Sequence, residues 1–333
     1  MRDKPTRGQL AVGLIGLGPT WERHYRDAVH RLSSKLRVQA VCDAVHVRAA
    51  AVAAEFHAAT ISSPWQLSQR RDIKAWLILD PGWLGIYPAE LAVWCGRPAL
   101  FTNCFGSDPQ RLTELFGHAI ERGETLLAEF PQRFLPATTR LRELIATKLG
   151  PVRRITLQVP MPSTGKTAAL KWLAEQQADC VGLLDWCACL IGLPAASVEF
   201  DSNAGRSRLQ LTYAAQPADT PRDAPRSEIV LAQDLKQAGV EPCRWIECER
   251  GSATIANSTS ITWQTETEQA DESLTNERSP FEIVLDQFCR RALGGLLPVP
   301  TLIDAVRSLA IVQAATESLS TGRLVSVKSA SPR

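Results

Sequence analysis

"GLIGLGPTW" (residues 13–21) decides how the first third of this chain is read. It closes "LAVGLIG" (residues 10–16), an unbroken apolar run ending in glycine, the pattern of a parallel strand covered on both faces. A strand that turns on glycines into a helix is the setting of the G-x-G-x-x-G loop. In that loop the first glycine makes the tight turn and the second lets the backbone approach a pyrophosphate. The third allows helix to pack closely on strand, while the helix N-terminus faces the phosphates. Gly16 and Gly18 fill the first two positions, Pro19 and Thr20 follow, and Trp21 stands where the third glycine belongs.

Outward from the loop, strands and helices alternate. A helix is expected over residues 22–35, then the strand "RVQAVCD" (37–43) and the Ala-rich helix "VRAAAVAAEF" (47–56). "AWLILDP" (75–81) is a further buried strand stopped by Pro81, and "PAELAVWCG" (88–96) has proline placed to start a helix and glycine to end it. "PALFTN" (98–103), the capped helix "DPQRLTELFGHAIERG" (108–123) and "TLLAEF" (125–130) complete the series. This alternation predicts a doubly wound parallel sheet. Asp43 ends the strand after the loop, where an acid accepts hydrogen bonds from an adenosine ribose and repels a 2′-phosphate. Gly16, Gly18, Pro19, Thr20, Trp21, Asp43 and Pro81 are therefore the expected cofactor contacts, and NAD is favoured over NADP. The bland alternative is a tight turn with Asp43 as a surface acid.

Past "FPQRFLP" the pattern changes. A helix from Pro136 leads to strands of alternating polarity at 152–159, 208–214, 227–233, 243–250 and 252–265, suited to an antiparallel sheet with one covered face. Two closing helices follow, "PFEIVLDQFCRRALGG" and "TLIDAVRSLAIVQAATESL", and residues 213–227 and 264–279 read as polar loops. The expected domains are 1–127 and 128–333.

Composition excludes more than it selects. With 45% apolar and 22% charged residues, the chain has an ordinary globular composition. A net charge of +2 gives no field for nucleic acid or a membrane surface, and no apolar run is long enough to cross a bilayer. The basic, then apolar N-terminus lacks a small-x-small cleavage site, so it is not read as a signal peptide. Nine scattered cysteines without zinc spacing suggest reduced thiols, no metal and a cytoplasmic location.

"AVGLIGLG", "VQAVCDA", "AWLILDPGW…CGRPALF", "PQRFLPATTRLRELIATKLGPVRRITLQV" and "AVRSLAIVQAATESLSTGRLVSV" together resemble the glucose–fructose oxidoreductase/inositol dehydrogenase (Gfo/Idh/MocA) family. The resemblance spans residues 9–327 and implies a Rossmann domain followed by an α+β domain with a large open sheet. It also implies hydride transfer at a carbon of a sugar-like or polyol substrate, and a homodimer or homotetramer built through that sheet. The family's Glu-Lys-Pro triplet is replaced by Thr102-Asn103-Cys104. Its His-x-x-Asp keeps Asp185 but has Gly182 for the histidine, and Gly85 stands where a further histidine is usual. All five histidines fall at or before residue 118.

Removing hydride from an alcohol leaves a proton that a base must take. Asn103 can hydrogen-bond a hydroxyl but does not titrate near neutrality. Asn103, Asp185 and Lys171 are the catalytic candidates, with Lys166, Asp179, Tyr87 and Cys104 as further possibilities. "GKT" at 165–167 lacks the Gly-rich loop of a P-loop. Trp21, Trp83 and Trp172 are placed either to stack on a ligand ring or to fill space, and for Trp21 narrowing of the pyrophosphate site is expected. Two functions stay open: a divergent oxidoreductase, and a catalytically silent relative serving as a binding or subunit-interaction module.

Overall fold

The computed structural model describes residues 9–102, 104–106, 108–163, 165–175, 177–203, 206–214, 224–232 and 243–328. The first six strands are β1 (Leu10–Ile15), β2 (Leu36–Cys42), β3 (Ala59–Ile61), β4 (Ala75–Ile78), β5 (Ala99–Phe101) and β6 (Leu126–Ala128). They form a parallel sheet in the order β3-β2-β1-β4-β5-β6. Every residue of β1 and β4 is buried, which explains why these strands read as continuous apolar runs.

Five helices connect them: α1 (Arg26–Arg31), α2 (His46–Glu55), α3 (Pro64–Ser68), α4 (Tyr87–Trp94) and α5 (Pro109–Glu121). As the sequence suggests, Asp108 caps α5 by accepting from the Gln110 N–H at 2.8 Å, with Pro109 in the first turn. α1 is preceded directly by a wide π turn, Trp21–Tyr25, in which the Arg26 N–H donates to the Trp21 carbonyl. The wide turn accommodates two large side chains at its ends, Trp21 and Tyr25, both fully buried.

The rest of the chain contains α6 (Pro136–Leu144), β7 (Val152–Pro160), α7 (Lys166–Glu175), α8 (Gln177–Ile191), β8 (Ala195–Asn203), β9 (Arg206–Tyr213) and β10 (Arg226–Ala232). There follow β11 (Arg244–Cys248), β12 (Gly251–Asn257), β13 (Ser260–Thr265), β14 (Gln269–Ser273), α9 (Pro280–Ala292), α10 (Leu302–Thr321) and β15 (Val325–Ser326). Nine strands make a second sheet, β14-β13-β12-β11-β7-β10-β9-β8-β15, antiparallel except where β10 runs parallel to β7. The alternating burial of β9 gives it one covered face.

Two features differ from the sequence expectation. Residues 252–265 are a hairpin rather than one strand, turned where the Asn257 side chain accepts from the Thr259 N–H at 2.9 Å. The expected loop 264–279 contains β14, an edge strand held to β13 by backbone bonds, whose polar side chains carry no core pattern.

Two compact units result. The first takes residues 9–131 and Ser279–Val306, and the second takes Gln132–Arg278 and 307–328, so the division falls within α10. α9 therefore belongs to the first unit, whereas the expected division at residue 128 placed it in the second. It packs on the loop-following helix through His24 stacked on Phe281, ring centroids 4.0 Å apart, and through Lys35 paired with Asp286.

Candidate functional site

The strand order of the first sheet reverses direction between β1 and β4, and in open α/β sheets ligands bind outside the strand ends at such a point. Gly16 follows β1 with φ of +81°, a conformation glycine adopts without cost, and a Cβ there would lie 2.1 Å from the Asp80 carbonyl oxygen. At Gly18 a Cβ would fall 2.9 Å from the Asp80 side chain. Both glycines are thus required by one neighbour, Asp80, at the end of β4.

Asp80 turns its carboxylate onto the start of the helix. Oδ2 accepts from the Thr20 N–H at 2.9 Å and from the Trp21 N–H at 3.3 Å, while the Thr20 hydroxyl donates to Oδ1 at 2.8 Å. Pro19, between Gly18 and Thr20, has no N–H to offer. The backbone donors that a pyrophosphate oxygen would use are those holding Asp80. The Asp80 carboxylate is a stand-in anion: the donor set fits a phosphate oxygen, and the space in front of it is taken by the chain itself.

The other expected cofactor contacts are placed as follows. The Trp21 indole is fully buried, edge-on to Phe56 with centroids 5.8 Å apart, so it fills the core beneath the helix. The Asp43 side chain is only 4% accessible. Its Oδ2 accepts from the Leu17 N–H at 2.7 Å, and its Oδ1 from the Val45 N–H at 2.7 Å and from Arg48 at 3.2 Å. Pro81 precedes the short turn Gly82–Leu84, on which Trp83 stands 83% exposed.

A second acid lies at the same end of the sheet, and the sequence reading passed over it. Glu129 directly follows β6 and accepts from the Tyr25 hydroxyl at 2.8 Å. Burial first, and the negative charge of Asp80 after it, push its carboxyl up to about 7, against the opposing pull of the Tyr25 hydrogen bond. Cys104, fully buried nearby, has its thiol pushed up by burial and by Glu129, so it stays protonated at neutral pH. Asp80 and Glu129 had one sequence signal, an acid immediately after an apolar strand at its C-terminal end. Asn103 lies outside the described residues.

In the second unit Asp185 sits on α8 with its side chain 3% accessible. Arg133 grips it with two hydrogen bonds, one from Nε at 2.7 Å. A carboxylate held by a bidentate guanidinium is stabilised in its charged form. Gly182, one turn earlier, is buried, and a Cβ added there would meet Gln132 Nε2 at 3.3 Å. Gln132 occupies the volume a side chain at 182 would need. Lys171 is exposed on α7, where Trp172 is buried. The exposed Lys166 donates to the Ser320 carbonyl at 3.2 Å. Among the described residues no group of three or more His, Cys, Asp or Glu side chains converges as a metal-ligand set, and no helix is long and apolar enough to cross a membrane.

No protein-family model matches the sequence, and no curated protein matches it. Solved structures do match. An aldose–aldose oxidoreductase from Caulobacter crescentus superposes with a TM-score of 0.75 at 15% identity, covering 96% of this chain and 99% of that one. A UDP-N-acetylglucosamine 3-dehydrogenase from Acidithiobacillus ferrooxidans gives 0.72 at 19%, over 93% and 99%. A 3-ketoreductase from Actinomadura kijaniata, in complex with NADP and TDP-benzene, gives 0.70 at 16%, over 93% and 98%. The chain has the two-domain Gfo/Idh/MocA fold, and structures sharing it are dehydrogenases and oxidoreductases.

Proposed function

We propose that this chain is a nicotinamide-dependent oxidoreductase acting on a sugar-like or polyol substrate, without the lysine and histidine usual for the fold. The observation that carries the reading is the anion-binding turn at the β1/β4 switch point, where the Thr20 and Trp21 amides already hold a carboxylate. The named reactions of the structural neighbours, on an aldose and on a nucleotide sugar, support the substrate class. A bound nicotinamide would supply the hydride acceptor or donor.

In this reading the Thr20 and Trp21 amides and the Thr20 hydroxyl take a phosphate oxygen, beside Gly16 and Gly18. Asp43 takes the ribose hydroxyls, and Arg48, paired with Asp43, offers a counter-charge that would tolerate a 2′-phosphate. NAD is still the cofactor proposed, on the acid at 43. Glu129, with a carboxyl near neutrality, is the group suited to take and return the substrate proton. Asn103 and Lys171 are proposed to hydrogen-bond substrate hydroxyls, and Asp185 to orient that surface through Arg133. The nine free cysteines support a cytoplasmic site of action, and the nine-stranded sheet a homodimer or homotetramer.

A second reading, a silent binding module, is favoured by Gly182 and the Thr102-Asn103-Cys104 stretch standing where the resemblance implies the proton-transfer residues. Titration with NADH, followed through protein tryptophan fluorescence, separates the two. The oxidoreductase shows saturable quenching and then cofactor turnover on a panel of aldoses and polyols. No change at millimolar NADH sinks it, and saturable binding without turnover favours the silent module.

A further inference from the structure

We propose that Asp80 sets the dinucleotide affinity of this chain, by competing as an internal anion for the amides a cofactor phosphate must use. The proposal rests on the oxidoreductase reading above and deepens it. The Asp80 carboxylate takes the Thr20 N–H, the Trp21 N–H and the Thr20 hydroxyl, three donors from two consecutive residues. Pro19 has no amide N–H to serve in their place. Gly18 has no room for even a Cβ, because the Asp80 side chain lies against it at 2.9 Å. The glycine that usually lets backbone approach a pyrophosphate here lets backbone approach a carboxylate.

Two costs then oppose dinucleotide binding. The carboxylate must leave these donors, and a phosphate arriving at them meets a negative charge that stays close by. Glu129 adds to the electrostatic side, since Asp80 and Glu129 already interact at this end of the sheet. The loop therefore exchanges one anion for another, and the affinity measured is the difference between them.

The experiment compares wild type, Asp80→Asn and Asp80→Ala as full-length proteins. NADH and inorganic pyrophosphate are titrated separately, with binding read by tryptophan fluorescence and calorimetry. Asp80→Asn keeps an acceptor for the Thr20 and Trp21 amides, so its fold is safeguarded, while Asp80→Ala empties the position. Circular dichroism verifies that each variant is folded. We expect NADH affinity to rise at least about tenfold in Asp80→Asn, and further in Asp80→Ala, with pyrophosphate following the same order.

If wild type binds NADH and neither variant binds it more tightly, Asp80 is not a competitor, although the oxidoreductase reading survives. If wild type does not bind but the variants do, the competition is established and the oxidoreductase reading of the natural chain fails. Folded variants that bind neither probe overturn the proposal outright.

Discussion

The strand ends of the first unit and helix α8 of the second each bury acids, and each satisfies them in a different way. On α8 the acid meets a cation: Asp185 is buried against a bidentate Arg133. At the strand ends the acids are held by neutral donors. Asp80 is held by backbone amides and a hydroxyl, and Glu129 by a tyrosine hydroxyl. The guanidinium on α8 stabilises the charged form of its acid. The strand ends hold charge by groups that can exchange it for a ligand or a proton, and there burial pushes the Glu129 carboxyl up to about 7. A group that must give and take a proton is better placed at the strand ends than on α8.

The exchanges of bulk run in opposite directions as well. Trp21 fills the core against Phe56, whereas Gly182 leaves the volume of a side chain to Gln132. The largest expected effect comes from undoing the first. Trp21→Gly restores the loop pattern in letters but empties a fully buried indole site and puts glycine in a helical turn. A loss of about 4–6 kcal/mol is expected in urea unfolding, from truncating a buried tryptophan and from glycine's helix penalty. NADH affinity should not improve, because Asp80 still holds the amides. A loss under about 1 kcal/mol would mean that Trp21 is not a core residue.

Arg133→Met tests the cation side. It abandons Asp185 in a buried position and is expected to cost about 3–5 kcal/mol, the range for breaking a buried ion pair from one end. The double variant Arg133→Met, Asp185→Leu should recover most of that loss. A single variant as stable as wild type would show that α8 does not depend on its cation.

How much of this could be read from the sequence follows the same physical division. The parallel sheet was legible because strands buried on both faces are written as apolar runs, and β1 and β4 are such runs. The cap of α5 was legible because Asp and Pro at a helix start act within three residues. β14 was not, since an exposed edge strand is specified by its partner's backbone rather than by its own side chains. Of the candidate site, Gly16 and Gly18 were visible as a motif, but the partner that explains them lies some sixty positions away at Asp80. Local spacing carries no record of such a pairing. Asp185 was visible as an acid on a helix, but the Arg133 contact that fixes its charge comes from a different segment. Glu129 was hidden by its ordinary appearance: only the enclosure at the end of β6 makes it unusual.

The smallest of the expected effects is also the sharpest in sign. Burial raises the Glu129 carboxyl from 4.5 to about 7, so the folded state binds a proton that the unfolded chain has released. Between those values the unfolded chain carries fewer protons than the native one, and stability therefore falls as pH rises through this window. By pH 8 the accumulated cost is of order 1–3 kcal/mol, an upper range set by the size of the shift. Glu129→Gln keeps an oxygen for the Tyr25 hydroxyl and removes the ionisation. At pH 8 it should be more stable than wild type by up to that amount, while at pH 5 the two should unfold at nearly the same urea concentration. Arg133→Met must lower stability at both pH values, since a guanidinium does not titrate in this range. If Glu129→Gln leaves the pH dependence unchanged, the Glu129 carboxyl is not raised by its surroundings, and the contrast between an acid held by a cation and one held by a hydroxyl disappears.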